Sequence, residues 1–269
     1  MSRSSPSRRG LSLGVALAGA SVLPLSPVHA GAPTGPDLAA LYRRHAPAIV
    51  YIRAKYEADG APQVNSGAGA VLVGGRILTA CHVLRYGPDD AAEVDAVEVI
   101  EGQRDPATGA VRAGRRVAAK IIRCDRERDL AILAVTDEAS DVAGLRIARR
   151  HARVGQEVAA LGHSWRGFPW TVHGCAIAGR GHPIHDGTAR LSAPVESLST
   201  EALRQRPKKE PTMLEVDCDS HPLSGSVLLD AGGAIVGVHQ FSQFDPSQTQ
   251  RDEYSHYVDA TEIRRFMAE

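Results

Sequence analysis

Glycine pairs set between short apolar runs most limit what this chain can become. Gly74-Gly75 separates Gly69-Ala70-Val71-Leu72-Val73 from Arg76-Ile77-Leu78-Thr79, and Gly232-Gly233 separates Val227-Leu228-Leu229 from Ala234 to Val238. Runs this short suit strands, and a two-residue turn that tolerates positive φ closes each pair into a hairpin. Ala48 to Ile52, Ala131 to Val135, Val158 to Leu161, Thr171 to Ala178 and Met213 to Val216 are further strand candidates, while Glu93 to Ile100 and Arg116 to Ile122 alternate as half-exposed strands do. Helical spacing occurs only near the ends. Pro36 to Arg44 has Asp37 as its N-cap and is stopped by Pro47; Thr261 to Met267 has Thr261 as its cap. The pattern implies an all-β chain of barrels or sandwiches. Apolar residues at 43% and charged residues at 23% exclude disorder as the main state.

The first thirty residues read as an export leader. Arg3, Arg8 and Arg9 form a basic start, Leu11 to Leu25 is an apolar stretch shorter than the ~20 residues a membrane span needs, and Val28-His29-Ala30 offers a cleavage site. Ser7-Arg8-Arg9-Gly10-Leu11 also resembles a twin-arginine signal. A periplasmic or secreted protein is expected, with no membrane association once the leader is removed. Cleavage after Ala30 removes three arginines and no acidic residue, leaving a net charge of −3. A chain this close to neutral has no broad footprint for nucleic acid. The basic stretch between Thr200 and Pro211 reads as a solvated loop. Export permits disulfides, and Cys81, Cys124, Cys175 and Cys218 allow three full pairings, of which Cys175 with Cys218 is no more than a guess. Cys81, His82, His182, His185, Cys218 and His221 match no closed zinc spacing, so neither metal nor cofactor is expected.

Three polar residues stand where an apolar residue would be the default. His82 follows Leu78-Thr79-Ala80-Cys81, Asp129 precedes the run Leu130 to Val135, and Ser224 precedes the second hairpin. A hydroxyl is a weak nucleophile until an imidazole takes its proton, and the imidazole needs a buried carboxylate to fix its tautomer and stabilise its charge. Each residue alone has a commonplace explanation in packing or turns. Together, each at an element end, they point to acyl transfer.

Those segments resemble the trypsin-like serine peptidases, most closely the protease domain of the HtrA/Deg family. Ser66 to Leu72 with Ile77-Leu78-Thr79-Ala80-Cys81-His82-Val83 resembles the family's glycine-rich strand and histidine signature, and Asp129-Leu130-Ala131-Ile132-Leu133 its aspartate signature. Val154 to Gly162 with Thr171 to Gly174 is similar to the strands that open its second barrel. Ser224 to Leu229 with Gly233 to Val238 resembles the nucleophile segment, and Tyr257 to Ile263 the approach to a closing helix. The resemblance implies two six-stranded antiparallel β-barrels: a leader at 1–30, an arm at 31–46, a first barrel at 47–148, and a second barrel with closing helix at 149–269. It implies a serine endopeptidase acting on polypeptides, with His82 as general base and then acid, Asp129 as its orienter and Ser224 as nucleophile. No PDZ-type domain is expected after the helix that ends at Glu269.

One departure bears on rate. The family has Gly-Asn-Ser or Gly-Asp-Ser where this chain has Pro222-Leu223-Ser224, and proline has no N–H to offer the oxyanion. The loop is one residue shorter than the family's, which brings the Leu223 amide forward as a replacement donor beside that of Ser224. Losing a donor costs about 2.7–4 kcal/mol, or roughly 100- to 1,000-fold in turnover. A slowed peptidase is the expectation, and a protease-fold binding module without turnover is the rival. Counting from Ser224 places Cys218, flanked by Asp217 and Asp219, near the floor of the specificity pocket, with the register left open.

Overall fold

In the computed structural model, the described residues are 35–58, 60–86, 92–136, 142–164, 168–181, 211–218, 222–242 and 254–269. The expected leader at 1–30, the basic stretch at 200–210, Asp219, and the histidines at 182, 185 and 221 lie outside them.

The expected all-β architecture is present as two closed six-stranded antiparallel barrels. The first is built from β1 (Ile49–Ala58), β2 (Ala61–Val71), β3 (Ile77–Thr79), β6 (Ala96–Arg104), β7 (Val111–Asp125) and β8 (Leu130–Val135). Strand β1 pairs with β2 on one side and β6 on the other, so the sheet closes on itself and no edge is left unpaired. A short pair, β4 (Arg85–Tyr86) and β5 (Ala92–Glu93), lies outside the barrel. The second barrel has β9 (Glu157–Gly162), β10 (Thr171–Gly181), β11 (Met213–Asp217), β12 (Val227–Leu229), β13 (Ile235–Ser242) and β14 (Tyr254–Asp259), in the order β10-β11-β14-β13-β12-β9.

Both helices form where the end patterns place them. Helix α1 (Leu38–His45) starts at Asp37, whose side chain accepts the Ala40 N–H at 2.9 Å. Pro47 sits in the 3-10 turn Ala46–Ala48 that follows. Helix α2 (Ala260–Ala268) corrects the expected cap: Asp259, not Thr261, is the N-cap. The Asp259 carboxylate accepts the Thr261 N–H at 2.6 Å and pairs with Arg180 at 2.9 Å. A fully buried carboxylate is tolerated there because both partners compensate its lost hydration. No helix among the described residues is long and apolar enough to cross a membrane.

Of the three pairings open to the cysteines, the structure contains Cys81–Cys124 and Cys175–Cys218. Each bridge stays within one barrel. Cys218 is therefore a buried half-cystine, and Asp217 beside it is exposed at the end of β11.

The two barrels share an apolar seam. One continuous cluster runs from Ile49, Ile52 and Leu78 of the first barrel to Leu161, Val227 and Val238 of the second, while a smaller cluster around Val158, Leu214 and Tyr257 belongs to the second alone. Burying aliphatic side chains on both sides of the seam stabilises docking by ~1.5–3 kcal/mol for each fully buried residue, before ordering costs. Trp170 fastens the seam: its indole N–H donates to the Ile49 carbonyl at 2.8 Å, and its ring meets the His163 imidazole edge-on at 4.8 Å. His163 in turn lies against Tyr51 of β1 at 5.1 Å.

Candidate active site

Residues at the ends of paired strands converge here. Strands β3 and β8 pair through Thr79 and Ala131, so the residues just beyond β3 and just before β8 emerge side by side. His82 lies in the 3-10 turn Cys81–Leu84 after β3, and Asp129 in the turn before β8.

His82 and Asp129 are in direct contact. Asp129 Oδ2 lies 2.6 Å from His82 Nδ1, and Asp129 Oδ1 accepts the His82 backbone N–H at 2.8 Å. The Asp129 carbonyl also accepts the Cys81 N–H at 3.2 Å. An ionised carboxylate can only accept, so the imidazole proton sits on Nδ1 and Nε2 carries the lone pair. Asp129 adopts φ 50°, a left-handed conformation that aspartate tolerates better than most residues. That local strain, on the order of 1 kcal/mol, is held by the three hydrogen bonds. The Cys81–Cys124 bridge binds the His82 turn to the strand that leads into Asp129.

Ser224 comes from the other barrel. The Ser226 N–H donates to the Leu223 carbonyl at 3.0 Å, closing a turn with Ser224 and Gly225 at its centre. Gly225 has φ 87°, and a Cβ there would lie 2.0 Å from the Ala68 carbonyl oxygen, so only glycine fits. The Ser224 carbonyl accepts the Ala68 N–H at 2.8 Å, which pins the turn to β2 of the first barrel. Gly67 is enclosed between the two sides of the site. A Cβ there would lie 2.6 Å from a Val83 methyl, beside His82, and 3.0 Å from the Ser224 carbonyl oxygen.

Gln240, which sequence reasoning did not single out, bridges the Ser224 segment and the segment that leads into Asp129. Its backbone carbonyl accepts the Ser224 hydroxyl at 3.0 Å, and its side-chain Nε2 donates to the Arg128 carbonyl at 2.9 Å, one residue before Asp129. The Arg128 guanidinium is itself held by Asp125 at 2.6 Å and by Glu269 of α2 at 2.8 and 2.9 Å. No motif marks Gln240. Only its place two residues past Val238, in the hairpin beginning at Val227, could have drawn attention to it.

The two proposed oxyanion donors differ. The Leu223 N–H donates to the His163 carbonyl at 2.8 Å, so in this conformation it is not free for a substrate oxygen. The Ser224 N–H has no acceptor among the described residues. His163 is almost wholly buried. Burial pushes its imidazole down to about 4, against a smaller opposing pull from the Val50 backbone. It is therefore neutral at physiological pH, with Nδ1 accepting the Trp170 N–H at 3.0 Å. Both cysteine pairs are oxidised, which removes Cys81 and Cys218 as thiolate ligands for a metal.

Comparison with known proteins gives a consistent family. The family model described as "Trypsin-like peptidase domain" matches residues 67–238, a span that contains all three of the residues above. Among solved structures, the active form of the Rv3671c protease from M. tuberculosis is similar over 93% of each chain, with 23% identity and a TM-score of 0.58. The inactive form of the same protein, a Ser343Ala mutant, matches 85% of this chain and 89% of its own, with 21% identity and a TM-score of 0.54. At those identities the likeness concerns the fold. No match is found among curated proteins.

Proposed function

Because the chain belongs to the trypsin-like peptidase domain family, we propose that it is an exported serine endopeptidase in which Ser224 is the nucleophile, His82 the general base and then acid, and Asp129 the orienter. The observation that carries this reading is the His82–Asp129 pair, 2.6 Å apart with the tautomer fixed, together with the hydrogen bond that pins the Ser224 turn to β2 of the same barrel.

The chemistry follows from the proton inventory. The Ser224 hydroxyl has one hydrogen, at present donated to the Gln240 carbonyl, so the first step is a rotation that offers it to His82 Nε2. As Nε2 takes the proton, Oγ attacks the substrate carbonyl carbon, and Asp129 stabilises the imidazolium that forms. His82 then protonates the departing amine. Water, deprotonated by the same nitrogen, releases the acyl group. The Ser224 N–H is placed to receive the developing oxyanion. With Leu223 engaged on His163 and Pro222 lacking an N–H, neither residue before Ser224 among those described supplies a second donor, which supports a rate reduced roughly 100- to 1,000-fold. Two disulfides fit an oxidising compartment, and export through the leader at 1–30 is part of this proposal.

The occupied Leu223 amide also favours a second reading, a cleft that binds peptides without turning them over. Labelling of the purified protein with a serine-directed fluorophosphonate separates the two. Labelling that disappears in Ser224→Ala, with casein hydrolysis lost in His82→Ala, is the expected result. Equal labelling of the two proteins removes the peptidase reading.

A further inference from the structure

The link between the barrels carries a concentration of charge unrelated to the cleft. Arg146, Arg149, Arg150 and Arg153 lie on it, and they line a groove of about 890 Å³ together with Arg264 of α2. The floor is apolar, formed by Ile147, Ala148 and Val236. Among the described residues no carboxylate pairs with any of the five guanidiniums. Asp230, the carboxylate among the described lining residues, spends Oδ1 on the Gly232 and Ala234 N–H groups of its own turn, at 2.9 and 3.0 Å.

The backbone that carries the charges is held in place. Leu145 bridges to Leu72 of the first barrel, and Ile147 bridges to Ile235 of the second. The Arg146 carbonyl accepts the Ile235 N–H at 2.8 Å, and Ala148 N–H donates to the Ile235 carbonyl at 2.8 Å. With Leu145, Ala148 and Ala152 buried, the arginines at 146, 149, 150 and 153 are turned to solvent. Arg264 is anchored through Nη1 to the Ala148 carbonyl and through Nη2 to Thr261 Oγ1. Like charges gathered around one groove repel one another, and an anion relieves that repulsion. Arginine offers a planar fork of donors that matches carboxylates two at a time. The groove borders the turn of the β12–β13 hairpin, at the opposite end from Ser224 and Gln240, so it is not a wall of the catalytic cleft.

We propose that this groove binds an acidic, extended segment of polypeptide. Its concave shape and apolar floor suit a chain that presents carboxylates to the walls and lays its backbone and aliphatic atoms along the base. A flat bilayer surface would meet only the rim. The proposal is independent of turnover, so it is tested on Ser224→Ala, which leaves the probe uncut. Anisotropy of a fluorescein-labelled Asp/Glu-rich peptide should rise to saturation, weaken as salt is added, and be absent for the Asn/Gln counterpart. Arg149→Glu with Arg150→Glu should weaken binding roughly tenfold or more. Arg146→Glu with Arg153→Glu gives a second, independent reversal, and the melting curve of each variant checks folding. The salt titration of the unreversed groove stands even where a reversal fails to fold. No saturable binding, equal binding after reversal, or preference for phosphatidylglycerol vesicles over the peptide overturns the proposal, the last in favour of a membrane surface.

Discussion

In the first barrel, His82 and Asp129 are locked together by hydrogen bonds of 2.6 and 2.8 Å, with a disulfide beginning at the residue beside His82. In the second, Ser224 rests its hydroxyl on a backbone carbonyl, and the amide before it is committed to His163. The proposed orienting half of the site is thus assembled in advance, whereas the proposed attacking half holds its proton and one of its N–H groups on protein acceptors. The contrast locates any loss of rate on the Ser224 side.

The largest expected effect tests the assembled half. Asp129→Asn keeps an acceptor for the His82 backbone N–H but presents an amide to Nδ1, which favours the wrong tautomer. Turnover should fall about 10⁴-fold with the circular dichroism spectrum unchanged. A loss below about tenfold would make Asp129 a structural residue and dissolve the contrast.

The two disulfides sharpen the comparison next, because each spans a sequence separation of 43 residues. Chain-entropy reasoning assigns loops of equal size the same stabilisation, about 4 kcal/mol. Replacing Cys81 and Cys124 by Ala, or Cys175 and Cys218, should therefore cost similar amounts in urea unfolding. Activity of the surviving folded protein should fall further for the first pair, since the Cys81 N–H is bonded to Asp129. Equal activity losses would show that the bridge beside His82 has no special hold on it.

The smallest expected effect concerns His163. Its folded-state pKa is depressed to about 4 from 6.5, so the unfolded chain takes up the proton first as pH falls. Stability from this group is present above about pH 6.5 and is lost between there and pH 4, by at most about 3 kcal/mol. Urea unfolding at pH 7, 5 and 4 should show this slope, and His163→Gln should flatten it. An unchanged slope in the variant assigns the acid sensitivity elsewhere.

How much was legible in advance follows from where apolar side chains alternate. The hairpin about Gly74-Gly75 was readable because both glycines adopt left-handed conformations, φ 99° and 81°, between buried runs. Strand β14 was not read from its pattern, since Ser255, His256, Tyr257 and Asp259 are buried polar residues in a segment without an aliphatic run. The strand ends were also underestimated. β7 extends from Val111 to Asp125 although only Arg116 to Ile122 alternates, because its outer portions are held by pairing with β6 and β8. At the site, side-chain types singled out His82, Asp129 and Ser224, the residues of the proposed triad. The engagement of the Leu223 amide and the Gln240 carbonyl that holds the Ser224 hydroxyl are backbone matters that no residue type encodes.

Trp170 gives the molecule a built-in optical gauge. The chain contains two tryptophans, and this one is 4% exposed, its nitrogen bonded to one half of the protein while its ring stacks edgewise on an imidazole of the other. Parting the halves would break the indole bond to Ile49 and wet the ring while His163 stays beside it, so in a Trp165→Phe background the emission wavelength follows their separation apart from the melting of either one.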